Sequence, residues 1–173
     1  MITLLGDEME KSKIAIPVIE KRKLQAEVII AIYDEMKEAF GEIKAKKILE
    51  KAIIKNAVSE GSKLRQDIDK KVDKKTSVIN RFINVFELWK VGGALEIKEI
   101  KKTNEVYHFD VTRCKYAEMY DEMGIKDLGK LLSCNRDYNF SIGFDQNLKL
   151  ERNKTIMEGH KCCTFRYQSL KRI

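Results

Sequence analysis

The spacing of apolar residues changes at Gly92-Gly93, and any fold for this chain has to bury both patterns. Before that point apolar residues recur at three- and four-residue steps, the period of a helix with one buried face. Leu24, Val28, Ile32, Met36 and Ala39 give a first such stripe, with Gly41 as its stop. Residues 1–12 read as a loose lead-in. Ser12 or a neighbour can cap that helix, and Pro17 is tolerated in its opening turn. A second helix is expected over 42–58, with Ile43, Leu49, Ile53 and Ala57 inward and Gly61 as the break. The longest is expected third, its core stripe running through Leu64, Ile68, Val72, Ile79, Phe82, Phe86 and Trp89.

Beyond the glycine pair the pattern alternates. Residues 94–100 and, more clearly, 105–111 read as strands joined by Lys102-Thr103-Asn104 into a hairpin. Residues 114–123 look helical up to Gly124, and 126–140 suggest a further helix. Short strands follow at 148–152 and 162–168. The fold class is therefore α+β: a helical N-terminal half packed with a small, mainly antiparallel sheet and its covering helices. Neither half looks sufficient alone, so residues 1–173 are expected to form one domain, with a helical part at 13–91 and a β-rich part at 94–168.

A chain of 173 residues with one proline and nine glycines can bury a core without disulfides or metal. No uncharged run approaches the roughly 18–20 residues of a membrane span. Asp7 and Glu8 come too early for a signal peptide, so a cytoplasmic location follows by default. The four cysteines include the adjacent Cys162 and Cys163 and match no secreted scaffold, so reduced thiols are expected. The formal charge of +7 raises the question of nucleic acid. Its densest stretch, 44–75, is interspersed with Glu50, Glu60, Asp67 and Asp73, which favours solvated helix faces over a nucleic-acid interface.

Phosphate-loop, dinucleotide, HExxH and serine-hydrolase signatures are absent, as are paired CxxC motifs. Reactive side chains crowd instead into the last third. Cys114 follows a strand, Cys134 and Asp137 share a helix face, and His160 precedes Cys163. Period-two geometry sends Cys162 and Cys163 to opposite faces. A thiol beside a cation can become a nucleophile, a carboxylate can activate water, and an arginine fork suits a substrate carboxylate. Arg113 and Arg136 flank two of the cysteines. The plainer readings are a buried cysteine acting as a small hydrophobe and a surface histidine. A Cys₃His metal site has little support from spacing so scattered, and neither metal nor cofactor is expected.

The segments FDVTRCKYAEMY (109–120), LSCNRD (132–137) and TIMEGHKCCTFRY (155–167) resemble the L-2-amino-thiazoline-4-carboxylic acid hydrolase family, with a weaker match at IEKRKLQAE (19–27). In that pattern Cys114 takes the R-C-x-Y position, Cys134 and Asp137 the C-x-x-D step, and Thr155, Gly159, Cys163 and Phe165 the last one. Cys162 is spare. The resemblance implies hydrolytic opening of a small cyclic amidine to N-carbamoyl-L-cysteine. On that expectation Cys134 attacks ring carbon 2 or Asp137 activates water. Cys163 or His160 handles protons, Cys114 completes the site, and Arg113, Arg136 or Arg166 holds the substrate carboxylate. The alternative is a non-enzymatic small-molecule or metal-binding sensory domain. The expected partner is a small-molecule substrate; a homo-oligomer is left open.

Overall fold

The computed structural model describes residues 16–170; Ser12 and the lead-in lie outside the described residues. The first helix, α1, spans Val18–Phe40, with Pro17 as its N-cap and the Lys21 N–H donating to the Pro17 carbonyl at 3.0 Å. Its period is as expected and its phase is not. Arg22, Ala26 and Tyr33 are buried, whereas Leu24, Val28 and Ile32 are 54%, 62% and 54% exposed. A buried arginine at a core position is what disguised the true stripe.

Helix α2 spans Glu42–Asp69 without a break at Gly61. Ala45, Leu49, Ile53 and Ala57 face inward, and Ile43 is 76% exposed. Gly61 serves close packing against a later helix, α6 (Arg136–Phe144). A Cβ on Gly61 would lie 2.3 Å from the Phe140 carbonyl oxygen, and one on Gly143 would lie 2.1 Å from that of Val58. The two backbones therefore approach through paired glycines.

The long third helix expected from Leu64 to Trp89 is two pieces. Leu64 and Ile68 belong to α2, Val72 lies in a turn, and α3 spans Val78–Lys90. Ser77 caps α3, its Oγ accepting from the Asn80 N–H at 3.2 Å. The intervening turn is held by the buried Arg81. Its guanidinium donates to the carbonyls of Thr76, Asp73 and Lys74 at 2.9, 3.0 and 2.9 Å and pairs with Asp69.

The strands are β1 (Leu95–Lys102), β2 (Val106–Cys114), β3 (Leu148–Glu151) and β4 (Cys163–Ser169), in the order β1-β2-β4-β3 and antiparallel throughout. Thr103 Oγ1 accepts from the N–H groups of Glu105 and Val106 to turn the first hairpin. Register sets Tyr107 opposite Tyr167, Phe109 opposite Phe165 and Val111 opposite Cys163. These residues form the inner sheet face, against Phe82 and Phe86 of α3 and Phe140 and Phe144 of α6. Helix α4 (Lys115–Glu122) and the short α5 (Lys126–Gly129) connect the two hairpins.

A second apolar cluster joins Ala26 and Tyr33 of α1, Leu49 and Ile53 of α2, and Tyr116 and Tyr120 of α4. Trp89, Leu95 and Cys114 touch both clusters, so the two cores meet there. Among the described residues no helix is long and apolar enough to cross a membrane.

Candidate functional site

A cavity of about 90 Å³ lies where the two cores meet. Most of its wall is apolar, from Phe82, Phe86, Trp89, Phe140, Phe165 and Tyr167. One end is ionic, with Arg22, Glu60, Arg136, Asp137 and Arg152 on the wall. Such a mixture of apolar walls and a few convergent polar groups is the usual make-up of a small-molecule site.

Two local departures from regular structure build it. The first is a π-helical turn, Lys130–Cys134, where the Asn135 N–H reaches back five residues to the Lys130 carbonyl at 2.9 Å. This turn replaces the single helix expected over 126–140. The extra residue brings both Ser133 and Cys134 to the cavity, the Ser133 Oγ lying 2.9 Å from the Tyr120 hydroxyl. The second is a bulge in β2. Glu96 pairs with Arg113 and Ile97 with Val111, which leaves Thr112 over. Strict alternation from Tyr107, Phe109 and Val111 would send Arg113 inward. The bulge sends Cys114 in and Arg113 out.

The ionic end is tied together across the fold. Glu60 of α2 accepts from the Arg22 Nη2 of α1 at 2.7 Å and from the Arg136 Nη2 of α6. Arg136 also donates to Asn56 Oδ1 at 2.8 Å. Arg152, just beyond β3, pairs through Nη1 with Asp137 and donates through Nη2 to the Cys134 carbonyl at 3.0 Å. Its guanidinium lies 5.2 Å from the ring centres of both Tyr138 and Phe165. The Arg152 Nε is the one buried side-chain nitrogen or oxygen among the described residues without a hydrogen-bond partner.

Burial governs the titration of these groups. It would raise the Glu60 carboxyl, but Arg22 and Arg136 outweigh it and hold that group below its ordinary value. Burial pushes the Asp137 carboxyl up, with Arg152, Arg136 and Arg22 opposing. The Cys114 thiol is pushed up to about 11 by burial. Cys134 is raised by burial and then by the charge of Asp137. Cys163 is raised by burial, although its Sγ accepts the Ile156 N–H at 3.2 Å. All three thiols are thus protonated at neutral pH, the opposite of an activated nucleophile.

Of the residues singled out from the sequence, Cys114, Cys134, Cys163, Asp137 and Arg136 converge on the cavity. Arg113, Arg166 and His160 do not line it. Arg113 is exposed and pairs with Glu118 and Glu96. Arg166 lies on the outer sheet face, bound to Asp110 at 2.8 Å, and His160 is exposed in a turn. Cys162 likewise lies outside the cavity wall. Sequence reading missed Arg22, Glu60 and Arg152. Each carries a charge at a core phase: Arg22 with Ala26 and Tyr33, Glu60 with Ile53 and Ala57, and Arg152 with Leu148 and Leu150. That mismatch was the available signal. Among the described residues no three His, Cys, Asp or Glu side chains are grouped to hold a metal ion.

A family model described as L-2-amino-thiazoline-4-carboxylic acid hydrolase matches residues 21–167. The chain belongs to this family. The match spans α1 through β4 and so contains every residue of the cavity's ionic end. No curated protein matches this family member. Among solved structures it is similar to the phenol-responsive sensory domain of the transcription activator PoxR with phenol. That match has 12% identity and a TM-score of 0.47, covering 80% of this chain and 71% of that one.

Proposed function

We propose that this hydrolase-family member opens the ring of L-2-amino-thiazoline-4-carboxylate, or a related small cyclic amidine, inside the cavity. The observation that carries the reading is Asp137, a half-buried carboxylate on the cavity wall, raised by burial and paired with Arg152. A carboxylate whose pKa is raised is a stronger base than an ordinary surface aspartate.

Asp137 takes a proton from water as the water oxygen bonds to ring carbon 2, and the π electrons of the carbon 2–nitrogen 3 double bond move onto ring nitrogen 3. The hydroxyl of the resulting tetrahedral centre gives its proton to that nitrogen as the carbonyl forms and the carbon–sulfur bond breaks. The sulfur leaves as thiolate and takes up the proton held by Asp137, and the product is N-carbamoyl-L-cysteine. Water serves as the nucleophile in place of Cys134, because burial keeps that thiol protonated. The three cysteines then act as compact walls, and the buried guanidiniums supply positive charge for the substrate carboxylate.

A second reading is favoured by the mainly apolar wall: binding of a small molecule without turnover, as a sensory domain would do. Incubation with the thiazoline, following free thiol and N-carbamoyl-L-cysteine, separates the two. Product formed by the native chain and lost in Asp137→Asn supports the hydrolase. Saturable binding with no product supports the sensory reading.

A further inference from the structure

Helices α1 and α2 form an antiparallel pair joined at Gly41. The bond from Arg22 to Glu60 fixes their register, because these two residues stand equally far from Gly41 along the chain. A residue a given number of steps before Gly41 therefore lies level with the one the same number of steps after it.

The outward faces of the two helices carry opposite charge. Glu27, Glu35 and Glu38 are exposed on α1, and Lys44, Lys47 and Lys55 are exposed on α2. In the register set by Arg22 and Glu60, Glu38 lies level with Lys44, Glu35 with Lys47 and Glu27 with Lys55. No position along α1 sets like charge level with like. Among the described residues none of these acids and lysines forms an ion pair within the chain. Lys44 lies over the Phe40 ring, 5.0 Å from its centre. Apolar side chains run between the charges: Leu24, Val28 and Ile32 on α1, each more than half exposed, and Ile48 on α2, 40% exposed. Apolar rows rimmed by charge mark an interaction surface.

We propose that a second copy of this chain covers both faces, α1 of each protomer lying along α2 of the other about a two-fold axis parallel to the helices. Such an axis turns each α1 toward the partner's α2 and leaves heights along the helices unchanged. The level acids and lysines then pair in both seams, and Ile32 comes beside the partner's Ile48. A two-fold contact needs one surface that complements itself, and the mirrored order of acids and lysines about Gly41 supplies it. A foreign partner would have to reproduce that order; a second copy carries it by construction. The pairing goes beyond the hydrolase reading and does not depend on it.

The test is sedimentation velocity of the full chain at low salt, from about 1 to about 200 µM. The native chain is expected to sediment as a dimer at the upper end of this range. Two variants then examine the seams: Glu27→Lys/Glu35→Lys on α1 and Lys47→Glu/Lys55→Glu on α2. All the changed positions are exposed, so both proteins should keep the native fold, checked by circular dichroism. Each variant alone sets like charges face to face in both seams and should raise the dissociation constant at least about tenfold. An equimolar mixture of the two restores opposite charge at every changed position and should recover dimers within about threefold of native affinity. A native chain that stays monomeric at about 200 µM overturns the proposal and leaves the face to residues 1–15 or to a foreign protein. Single variants that dimerise as tightly as the native chain overturn it too, as does a mixture that stays monomeric.

Discussion

Arg152 binds Asp137 with one terminal nitrogen and the Cys134 carbonyl with the other, so a single guanidinium joins the end of β3 to the π turn and to α6. Asp137 and Cys134 come from adjacent turns of one segment, and Arg152 comes from the sheet. The geometry of the cavity's ionic end therefore exists only when helix and sheet are docked.

Removing the base should separate the two chemical routes. Asp137→Asn is expected to lower kcat for thiazoline opening by about 100-fold or more, the usual scale of general-base catalysis. Cys134→Ala and Cys163→Ala should stay within about tenfold of the native rate, because neither thiol is ionised at neutral pH. Thiol release read with a colorimetric reagent, with product confirmed by mass, checks this. Loss of all turnover in a folded Cys134→Ala protein would restore the nucleophile role.

Breaking the Arg152–Asp137 pair from one side should destabilise the fold. Arg152→Gln leaves the half-buried Asp137 carboxylate without its partner, at a cost of about 1–2 kcal/mol after allowing for its exposure. The double variant Arg152→Gln/Asp137→Asn should recover part of that loss, since no uncompensated charge remains. Urea unfolding of the two single variants and the double variant gives the coupling directly. Strict additivity would show that the two groups act independently.

The pH dependences run in opposite directions for two carboxylates. Glu60 is held below its ordinary value, so its stabilising contribution is present above the unfolded-state value and is lost as pH falls through the lowered one. Acid unfolding should therefore become shallower in Glu60→Gln. Asp137 is raised by burial, so the base form, and with it kcat/KM, should appear only as pH rises through a value above the ordinary 3.8. A rate profile whose acidic limb lies at or below 3.8 would count against Asp137 as the base.

Gly61→Ala should be destabilising although alanine is the better helix former. The gain in propensity is about 1 kcal/mol. Against it stands a Cβ placed 2.3 Å from the Phe140 oxygen and 2.8 Å from the Phe144 nitrogen, backbone atoms that move only if α2 and α6 separate. A net loss of about 2 kcal/mol is expected in urea unfolding. A stabilised Gly61→Ala protein would mean that α2 and α6 pack further apart.

The sequence by itself determined the class of fold and the strands. Alternation on either side of Lys102-Thr103-Asn104 and at 148–152 and 162–168 matches β1, β2, β3 and β4, because inward positions on a strand repeat every second residue. It also brought out Cys114, Cys134, Asp137, Cys163 and Arg136, together with the family to which the chain belongs. Tertiary structure alone decided the phase of α1 and the continuity of α2 through Gly61. Leu24, Val28 and Ile32 carry the right period, but Arg22 is the residue that turns inward, because Glu60 on α2 neutralises it there. Periodicity scores hydrophobicity and therefore misreads a helix whose buried face includes a paired ion. The same limit hid Arg152, and the bulge at Thr112 hid the exchange of Arg113 for Cys114. A charge can occupy a core position only when its partner arrives from elsewhere in the fold, and no local pattern records that arrival.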